Sequence, residues 1–266
     1  MKYISLFYLL FFIICCKPAP KEAKEIIKEE SKEATIVKTY PKSLEQIFEA
    51  HGGLDVWKKQ RTLIYTITKE SNPETHTTDL WNRNDRIDTE QFSMGFDGKP
   101  WLLDSNKNYK GNVEFYHNLM FYFYAMPFVW ADDGIVYGET EDLVFEGVNY
   151  PGISISYNNG VGTTPKDEYF IHFDAETHQM SWLGYTVTYR SGEKSDNVKW
   201  IRYDNWAAVN NLVLPKSITW HNYEGREIQE ARNTVDFENI SATEVRLSDE
   251  FYAKPEKAMY WQKPQK

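Results

Sequence analysis

The sequence has very few of the residues that cross-link secreted domains or bind soft metals. Its 266 residues include two cysteines, Cys15 and Cys16, which are adjacent and lie near the N-terminus. Residues 17–266 therefore contain no thiol that could form an internal disulfide or ligate zinc.

Recognisable catalytic and cofactor motifs are also missing. The six histidines include no pair at the HxH or HExxH spacing that places two imidazoles on one metal. There is no calcium loop, nucleophile elbow, phosphate loop or dinucleotide fingerprint. The sequence predicts neither a metal nor a cofactor.

Positive charge is scarce as well. The formal net charge is -9 and no basic stripe is present, which argues against a nucleic-acid partner. A hydrophobic content of 41%, with 16% aromatic residues, is enough to bury a sizeable core. The chain is therefore expected to fold as a globular protein.

The N-terminus has the features of an export signal. One lysine precedes a run of about a dozen apolar residues, which is too short to cross a bilayer and typical of a signal peptide. The pattern resembles a bacterial lipoprotein signal, and Cys16 is the preferred lipid acceptor because the small Cys15 precedes it. An uncleaved anchor or an ordinary secretion signal with incidental cysteines remains the alternative.

These features predict three regions along the chain. Residues 1–15 form the signal peptide, and residues 16–40 form a charged flexible tether in which lysine and glutamate alternate. Residues 41–266 form a single domain. Because the glutamates offset the lysines, the tether is not a basic patch for anionic lipid.

A short amphipathic helix opens the domain within residues 43–57. Ser43 and Gln46 have the spacing of a capping box, and Gly52 with Gly53 mark its end. His51, just before the glycines, is interpreted as a helix-end residue near the negative end of the helix dipole. The apolar side chains expected to lie against a sheet are Leu44, Ile47, Phe48 and Trp57.

Strand patterns dominate the chain from Thr62 onward. About ten segments alternate with period two and are separated by turn residues such as Asp97 and Gly98. No strand–helix alternation of the kind a parallel sheet needs is present. The predicted fold is mainly β (α+β), a large antiparallel, strongly curved half-open barrel with an N-terminal helix and an aromatic helical insertion covering its concave face.

The aromatic insertion, residues 112–130, is the most unusual segment in composition. Apolar residues occupy almost every position, so a helix here cannot have one side in water, and Pro127 must end or kink it. Core packing is the simplest interpretation, and a lid over a cavity is the functional one. The side chains predicted to line that cavity are Phe115, Leu119, Tyr122, Met126 and Trp130.

Several segments resemble the LolA/LolB-like superfamily of lipoprotein carriers. They are FDAETHQM at residues 173–180, LVLPKSITW at 212–220, VDFENI at 235–240 and LSDEFYAKP at 247–255. The AHGGLDVW run at residues 50–57 is similar to a group of lipoproteins from Bacteroidetes-type bacteria. The resemblance implies a half-closed barrel around helices, with an apolar cavity that takes acyl chains.

Three functional hypotheses follow. The first is a non-enzymatic lipoprotein, anchored by its N-terminal lipid to the bacterial outer membrane on the periplasmic or surface side, that binds a lipid-like or other apolar ligand. The second is a hydrolase that uses His172, Asp174 or His51 as base and carboxylate. The third is a structural or interaction module of an envelope complex, for which the sequence indicates no particular protein partner.

Overall fold

The computed structural model describes residues 38–69, 71–158, 167–188, 193 and 195–263. Contacts divide the chain into two units, Met1–Thr39 and Tyr40–Lys266, and all elements described below belong to the second. The predicted signal peptide, the lipid acceptor Cys16 and nearly all of the tether lie outside the described residues. The three predicted regions, 1–15, 16–40 and 41–266, therefore stay predictions.

Two helices begin the folded unit, a group of short helices interrupts it, and one more lies near its end. Their bounds are α1 (Lys42–Ala50), α2 (Leu54–Lys59), α3 (Val113–Tyr116), α4 (Leu119–Tyr124), a 3₁₀ helix (Phe128–Ala131) and α5 (Asp249–Tyr252). The strands are β1 (Thr62–Ile67), β2 (Glu74–Asp79), β3 (Asp85–Asp88), β4 (Ser93–Phe96), β5 (Pro100–Leu103), β6 (Ile135–Gly138), β7 (Leu143–Phe145), β8 (Val148–Tyr150), β9 (Gly152–Tyr157), β10 (Tyr169–Phe173), β11 (Met180–Tyr185), β12 (Lys199–Val209), β13 (Leu212–Glu224), β14 (Glu227–Thr243) and β15 (Met259–Tyr260).

Thirteen of the described strands form one curved antiparallel sheet. Its order is β15-β5-β4-β3-β2-β1-β14-β13-β12-β11-β10-β9-β6, and β7 pairs with β8 in a separate hairpin. The first and last strands of this order do not pair with each other in the described part of the chain. The predicted fold, an antiparallel half-open barrel with few helices, is confirmed.

Strand β1 joins the two halves of the sheet. It pairs with β2 in a hairpin and with β14 near the end of the chain, where Thr62 faces Thr243. The Asp97–Gly98 turn is also confirmed, since it lies between the paired strands β4 and β5 and Gly98 has a φ of 105°. Local turn chemistry therefore predicts the hairpins, whereas the joining of the two halves of the sheet depends on the long-range pairing of β1 with β14.

The main core lies between the helices and one face of the sheet. Leu44, Ile47, Phe48 and Trp57 are all buried in it, as predicted, together with residues of the aromatic insertion and of both halves of the sheet. A smaller cluster on the opposite face contains Phe170, Trp182 and Trp200 and is covered by the β7–β8 hairpin. The sheet is thus covered on both faces near β10–β12.

One predicted detail at the first helix is wrong. Helix α1 begins at Lys42 with Pro41 as its N-cap, and no side chain caps it, so Ser43 is not the first residue of a capping box. Proline is common at a helix start because it needs no amide partner there. The predicted stop is confirmed, since Gly52 and Gly53 have φ values of 100° and 90°.

Candidate functional site

Residues 113–131 fill the concave face of the sheet, and we call this segment the plug. It consists of α3, α4 and the 3₁₀ helix, with breaks at Asn118 and Pro127. Asn112 caps α3 by accepting a hydrogen bond from the Phe115 amide at 3.4 Å. Such short helices are stable only through packing, so the plug depends on the sheet beneath it.

Stacked aromatic rings connect the plug to the sheet and to the N-terminal helices. Tyr124 stacks on Tyr65 of β1 with ring centroids 4.0 Å apart, and Tyr65 stacks in turn on His76 of β2 at 4.9 Å. At the other end of the plug, Phe128 stacks on Trp57 at 4.7 Å. The concave side is filled by side chains rather than hollow at these positions.

A buried carboxylate lies at the edge of this aromatic layer. Glu74 of β2 accepts hydrogen bonds from Lys69 and from the Tyr116 hydroxyl, each at 2.6 Å, and from His76 at 3.4 Å. Burial alone would raise the pKa of Glu74, but these three donors lower it to about 2. Burial lowers the pKa of His76, so a charged Glu74 lies beside a neutral imidazole.

A second buried polar pair links the plug to β3. His117 Nδ1 lies 2.6 Å from Asp85 Oδ2, and the His117 ring stacks on Phe96 at 5.0 Å. Burial raises the pKa of Asp85 to about 6, although the hydrogen bond from His117 opposes the shift. Together with the Tyr116–Glu74 bond, this pair ties helix α3 to the sheet.

Three polar atoms in the same layer have no hydrogen-bond partner among the described residues. They are the hydroxyl oxygens of Tyr65 and Tyr124 and the Oδ1 atom of Asp85. Tyr65 and Tyr124 are fully buried and Asp85 is 3% exposed. Twelve such atoms occur among the described residues, and because unpaired buried polar groups are uncommon in native proteins, the three in this layer mark it as a candidate binding site.

The five side chains predicted to line a cavity do not share one surface. Met126 and Trp130 are buried in the main core, Leu119 is half-buried, and Phe115 and Tyr122 are 43% and 40% exposed. Their helical spacing does not place them on one face, because the plug is broken at Asn118 and Pro127 and is not one continuous helix. Whether any of the five binds a ligand stays a prediction.

The histidine and aspartate of the hydrolase hypothesis are occupied by structural contacts. His172 lies with Trp200 on the face of the sheet opposite the main core, and its Nδ1 is 3.2 Å from the Tyr150 carbonyl oxygen. Asp174 Oδ1 accepts hydrogen bonds from the amides of Glu176 and Thr177 and from the Thr177 hydroxyl. Neither contact arranges a base and carboxylate for catalysis.

His51 lies at the end of α1 as its C-cap, as predicted, but its predicted interaction with the helix dipole is wrong. It is completely buried, and it bridges α1 to two strands through Val213 and Met180. Burial lowers its pKa to about 4, so the ring is neutral and cannot act on the helix dipole as a cation. The short-range pattern gave no sign that residues 180 and 213 lie next to position 51.

Within the described residues, no group of three or more histidine, cysteine, aspartate or glutamate side chains is placed to hold a metal ion. None of the helices described has the length and hydropathy needed to span a bilayer. One hollow of about 390 Å³ is lined by α1 together with Thr177 and His178, and another of about 130 Å³ lies between α2 and the end of the plug.

The residues at the layer between plug and sheet, such as Glu74, His76 and Asp85, escaped the sequence prediction. Glu74 and His76 share their side of β2 with Thr78, and Asp85 stands between Asn84 and Arg86, so the local sequence around them is polar. The one signal in the sequence was the spacing of Glu74 and His76, which are two residues apart and so lie on the same face of a strand. That spacing is common, and nothing local shows that α3 covers it.

No family model and no curated protein matches the sequence. Solved structures that match include a DUF1329 family protein from Desulfovibrio piger, at 10% identity and a TM-score of 0.49, covering 79% of this chain and 95% of that one. A LolA superfamily protein from Nitrosomonas europaea matches at 9% identity and a TM-score of 0.41, covering 82% of this chain and 99% of that one. The Mycobacterium tuberculosis lipoprotein LppX matches at 10% identity and a TM-score of 0.26, covering 55% and 88%. The LolA-like resemblance predicted from the sequence is confirmed as a resemblance, and similarity at this level assigns no ligand.

Proposed function

We propose that this chain is a lipid-anchored protein of the bacterial cell envelope that binds an amphiphilic, lipid-like molecule between the plug and the concave face of the sheet. The observation that carries the proposal is the set of unpaired polar atoms on Tyr65, Tyr124 and Asp85. An unpaired buried polar group lowers the stability of the fold by about 1–3 kcal/mol, so a ligand that forms hydrogen bonds with these atoms would bind favourably.

An amphiphile would supply both hydrogen-bond partners for the unpaired polar atoms and apolar chains for the surrounding core. Its ester carbonyls or hydroxyls would pair with the two tyrosine hydroxyls, and its chains would lie against apolar neighbours such as Phe237 and Met126. Each methylene removed from water contributes about 0.8 kcal/mol, which favours long chains over small polar ligands. The ligand class is therefore one with a hydrogen-bonding head and an apolar tail.

Binding requires the plug to move. Pockets for ligands of drug size run to about 300–1,000 Å³, whereas the hollow next to the plug is about 130 Å³. The breaks at Asn118 and Pro127 divide the plug into short helices, and the proposed binding requires α3 to move apart from the others. The Asp85–His117 and Glu74–Tyr116 contacts would open when α3 moves away from the sheet.

The anchor is the second part of the proposal. Cys16 is the lipid acceptor, and residues 16–40 tether the domain to the outer membrane. Two or three acyl chains hold a protein on a bilayer stably, whereas one does not. Labelling growing cells with an alkyne-tagged fatty acid tests this: we expect the label to be lost in Cys16→Ser and kept in Cys15→Ser, and the opposite result would reassign the acceptor.

Native mass spectrometry tests the ligand. The full chain, purified from bacterial membranes in mild detergent, is expected to carry a non-covalent lipid that chloroform extraction removes. The Tyr65→Phe/Tyr124→Phe variant should retain less of it, and Tyr203→Phe, whose hydroxyl instead donates to the Phe123 carbonyl at 2.8 Å, should retain as much as the wild type. Repeated recovery of protein without lipid would reject the proposal.

A further inference from the structure

A small hollow lies where α2, the turn between β2 and β3, and the end of the plug meet. Its volume is about 130 Å³ and its lining is mixed. Leu54, Trp57, Leu80, Phe128 and Ala131 provide the apolar part. Lys58, Gln60, Trp81, Arg83 and Asp132 provide the polar rim. It differs from the layer between plug and sheet in being already open.

The aromatic walls of the hollow are held in place. Trp57 and Phe128 are buried and stacked, with an angle of 7° between their rings. Trp81 is 63% exposed, yet its indole nitrogen donates to the Lys58 carbonyl at 3.1 Å. The Arg61 guanidinium lies 4.0 Å from the Trp81 ring centre and covers its outer side. A large exposed indole fixed in this way forms a wall rather than a mobile surface group.

Arg83 is the unusual residue of the rim. Its φ is 63°, a left-handed conformation that side chains other than glycine and asparagine seldom adopt. Its guanidinium lies 4.7 Å from the Phe121 ring centre and its Nη2 donates to Asp132 at 2.7 Å. The buried Nη1 atom has no hydrogen-bond partner among the described residues. Arg83 thus combines an unfavourable backbone conformation with an N–H donor that lacks a partner among the described residues.

We propose that this hollow binds a small carboxylate with an apolar body of one ring or about six carbons. The rim carries two cationic side chains, Arg83 and Lys58, and one carboxylate, Asp132. Its net positive charge favours an anion. The planar fork of arginine pairs well with a carboxylate, and Arg83 is the arginine that lines the hollow. An apolar cavity of about 150 Å³ is known to hold a benzene molecule, which sets the size of the body.

This site does not depend on lipid binding or on movement of the plug, so the two proposals can fail separately. The probe is 4-fluorobenzoate, followed by fluorine NMR on the full chain in nanodiscs, with empty nanodiscs as the blank. We expect saturable binding of 4-fluorobenzoate and at least tenfold weaker binding of the neutral analogue 4-fluorobenzyl alcohol. Equal binding of the two probes, or no saturable binding, would overturn the proposal.

Two arginine variants provide the matched comparison. Arg83→Gln should weaken binding of 4-fluorobenzoate at least tenfold and leave the alcohol unchanged. Arg86→Gln is the control because Arg86 also pairs with a carboxylate, Asp88 at 2.8 Å, and lies over an aromatic ring, but it is remote from the hollow. Leu54→Trp, which fills the hollow, should abolish binding of both probes. Unchanged 4-fluorobenzoate affinity in Arg83→Gln or in Leu54→Trp would contradict the assignment.

Discussion

The backbone amide of Met180 donates a hydrogen bond to His51 Nε2 at 3.0 Å, across 129 residues of sequence. The other ring nitrogen, Nδ1, lies 3.0 Å from the Val213 carbonyl oxygen, so the neutral ring carries its proton on Nδ1. The imidazole also packs edge-on against Trp206 at 4.4 Å. One side chain thus fastens the end of α1 to strands β11 and β13.

Replacing His51 with alanine should therefore destabilise the fold strongly. The change leaves the Met180 amide and the Val213 carbonyl without their partner, and each unpaired group costs about 1–3 kcal/mol. We expect the free energy of unfolding, measured with urea at pH 7.5, to fall by about 3 kcal/mol. His51→Gln, which can both donate and accept, should lose less; a loss below about 1 kcal/mol in the alanine variant would show that the bridge is unimportant.

Lowering the pH should reduce the free energy of unfolding through protonation of His51. Burial lowers the pKa of His51 and of His172 to about 4, so each contributes stability that is present above pH 6.5 and is lost as the pH falls towards 4. Asp85 acts in the opposite sense: burial raises its pKa to about 6, so its contribution is present below pH 3.8 and lost as the pH rises through 6. Comparing His51→Gln with the wild type isolates the histidine.

The measurement is urea unfolding at pH 7.5 and at pH 4.5. We expect the wild type to lose about 2 kcal/mol more between these two conditions than His51→Gln does. Parallel losses in the two proteins would mean that His51 does not titrate in this range.

The two glycines after His51 should respond differently to alanine. A Cβ at Gly52 would lie only 2.0 Å from the Asn211 carbonyl oxygen, which is backbone and cannot turn away. A Cβ at Gly53 would be 3.5 Å from the flexible Glu49 carboxylate, so the cost there is the backbone strain of a φ of 90° and a ψ of 143°, a combination almost confined to glycine, at about 1–3 kcal/mol. Gly52→Ala should thus lower the melting temperature well beyond Gly53→Ala, and equal shifts would contradict this packing.

Removing the unpaired hydroxyls between plug and sheet should not reduce the stability of the protein. In delipidated protein, Tyr65→Phe/Tyr124→Phe should unfold at the same or a higher urea concentration than the wild type, because each hydroxyl is buried without a partner. Tyr203→Phe, which removes a hydrogen bond to the plug, should lose about 1 kcal/mol. A clear loss of stability in the double variant would show that both hydroxyls are already satisfied.

Local sequence signals predicted the parts of the fold that depend on local chemistry. The Gly52–Gly53 stop, the Asp97–Gly98 turn and the alternating strands all follow from backbone preferences within a few residues. The buried face of α1 also followed, because Leu44, Ile47 and Phe48 recur at helical spacing. The hairpins of the antiparallel sheet follow from these local patterns, whereas the long-range pairing of β1 with β14 does not.

The candidate site could not be predicted in the same way, because it is assembled from distant segments. Asp85 meets His117 across 32 residues and Glu74 meets Tyr116 across 42, pairings that no periodicity contains. Within the plug, the breaks at Asn118 and Pro127 rotated Phe115 and Tyr122 towards solvent and left Met126 in the core. Helical spacing holds only within one unbroken helix.

Hydrogen–deuterium exchange of the plug upon lipid addition tests the central claim most directly. If an amphiphile binds between plug and sheet, amides in residues 113–131 should exchange faster once lipid is added, while those of β1 and β14 stay protected. The Tyr65→Phe/Tyr124→Phe variant should show a smaller change at equal lipid concentration. Unchanged or slower exchange in the plug, with lipid bound by mass spectrometry, would place the ligand elsewhere and contradict the account.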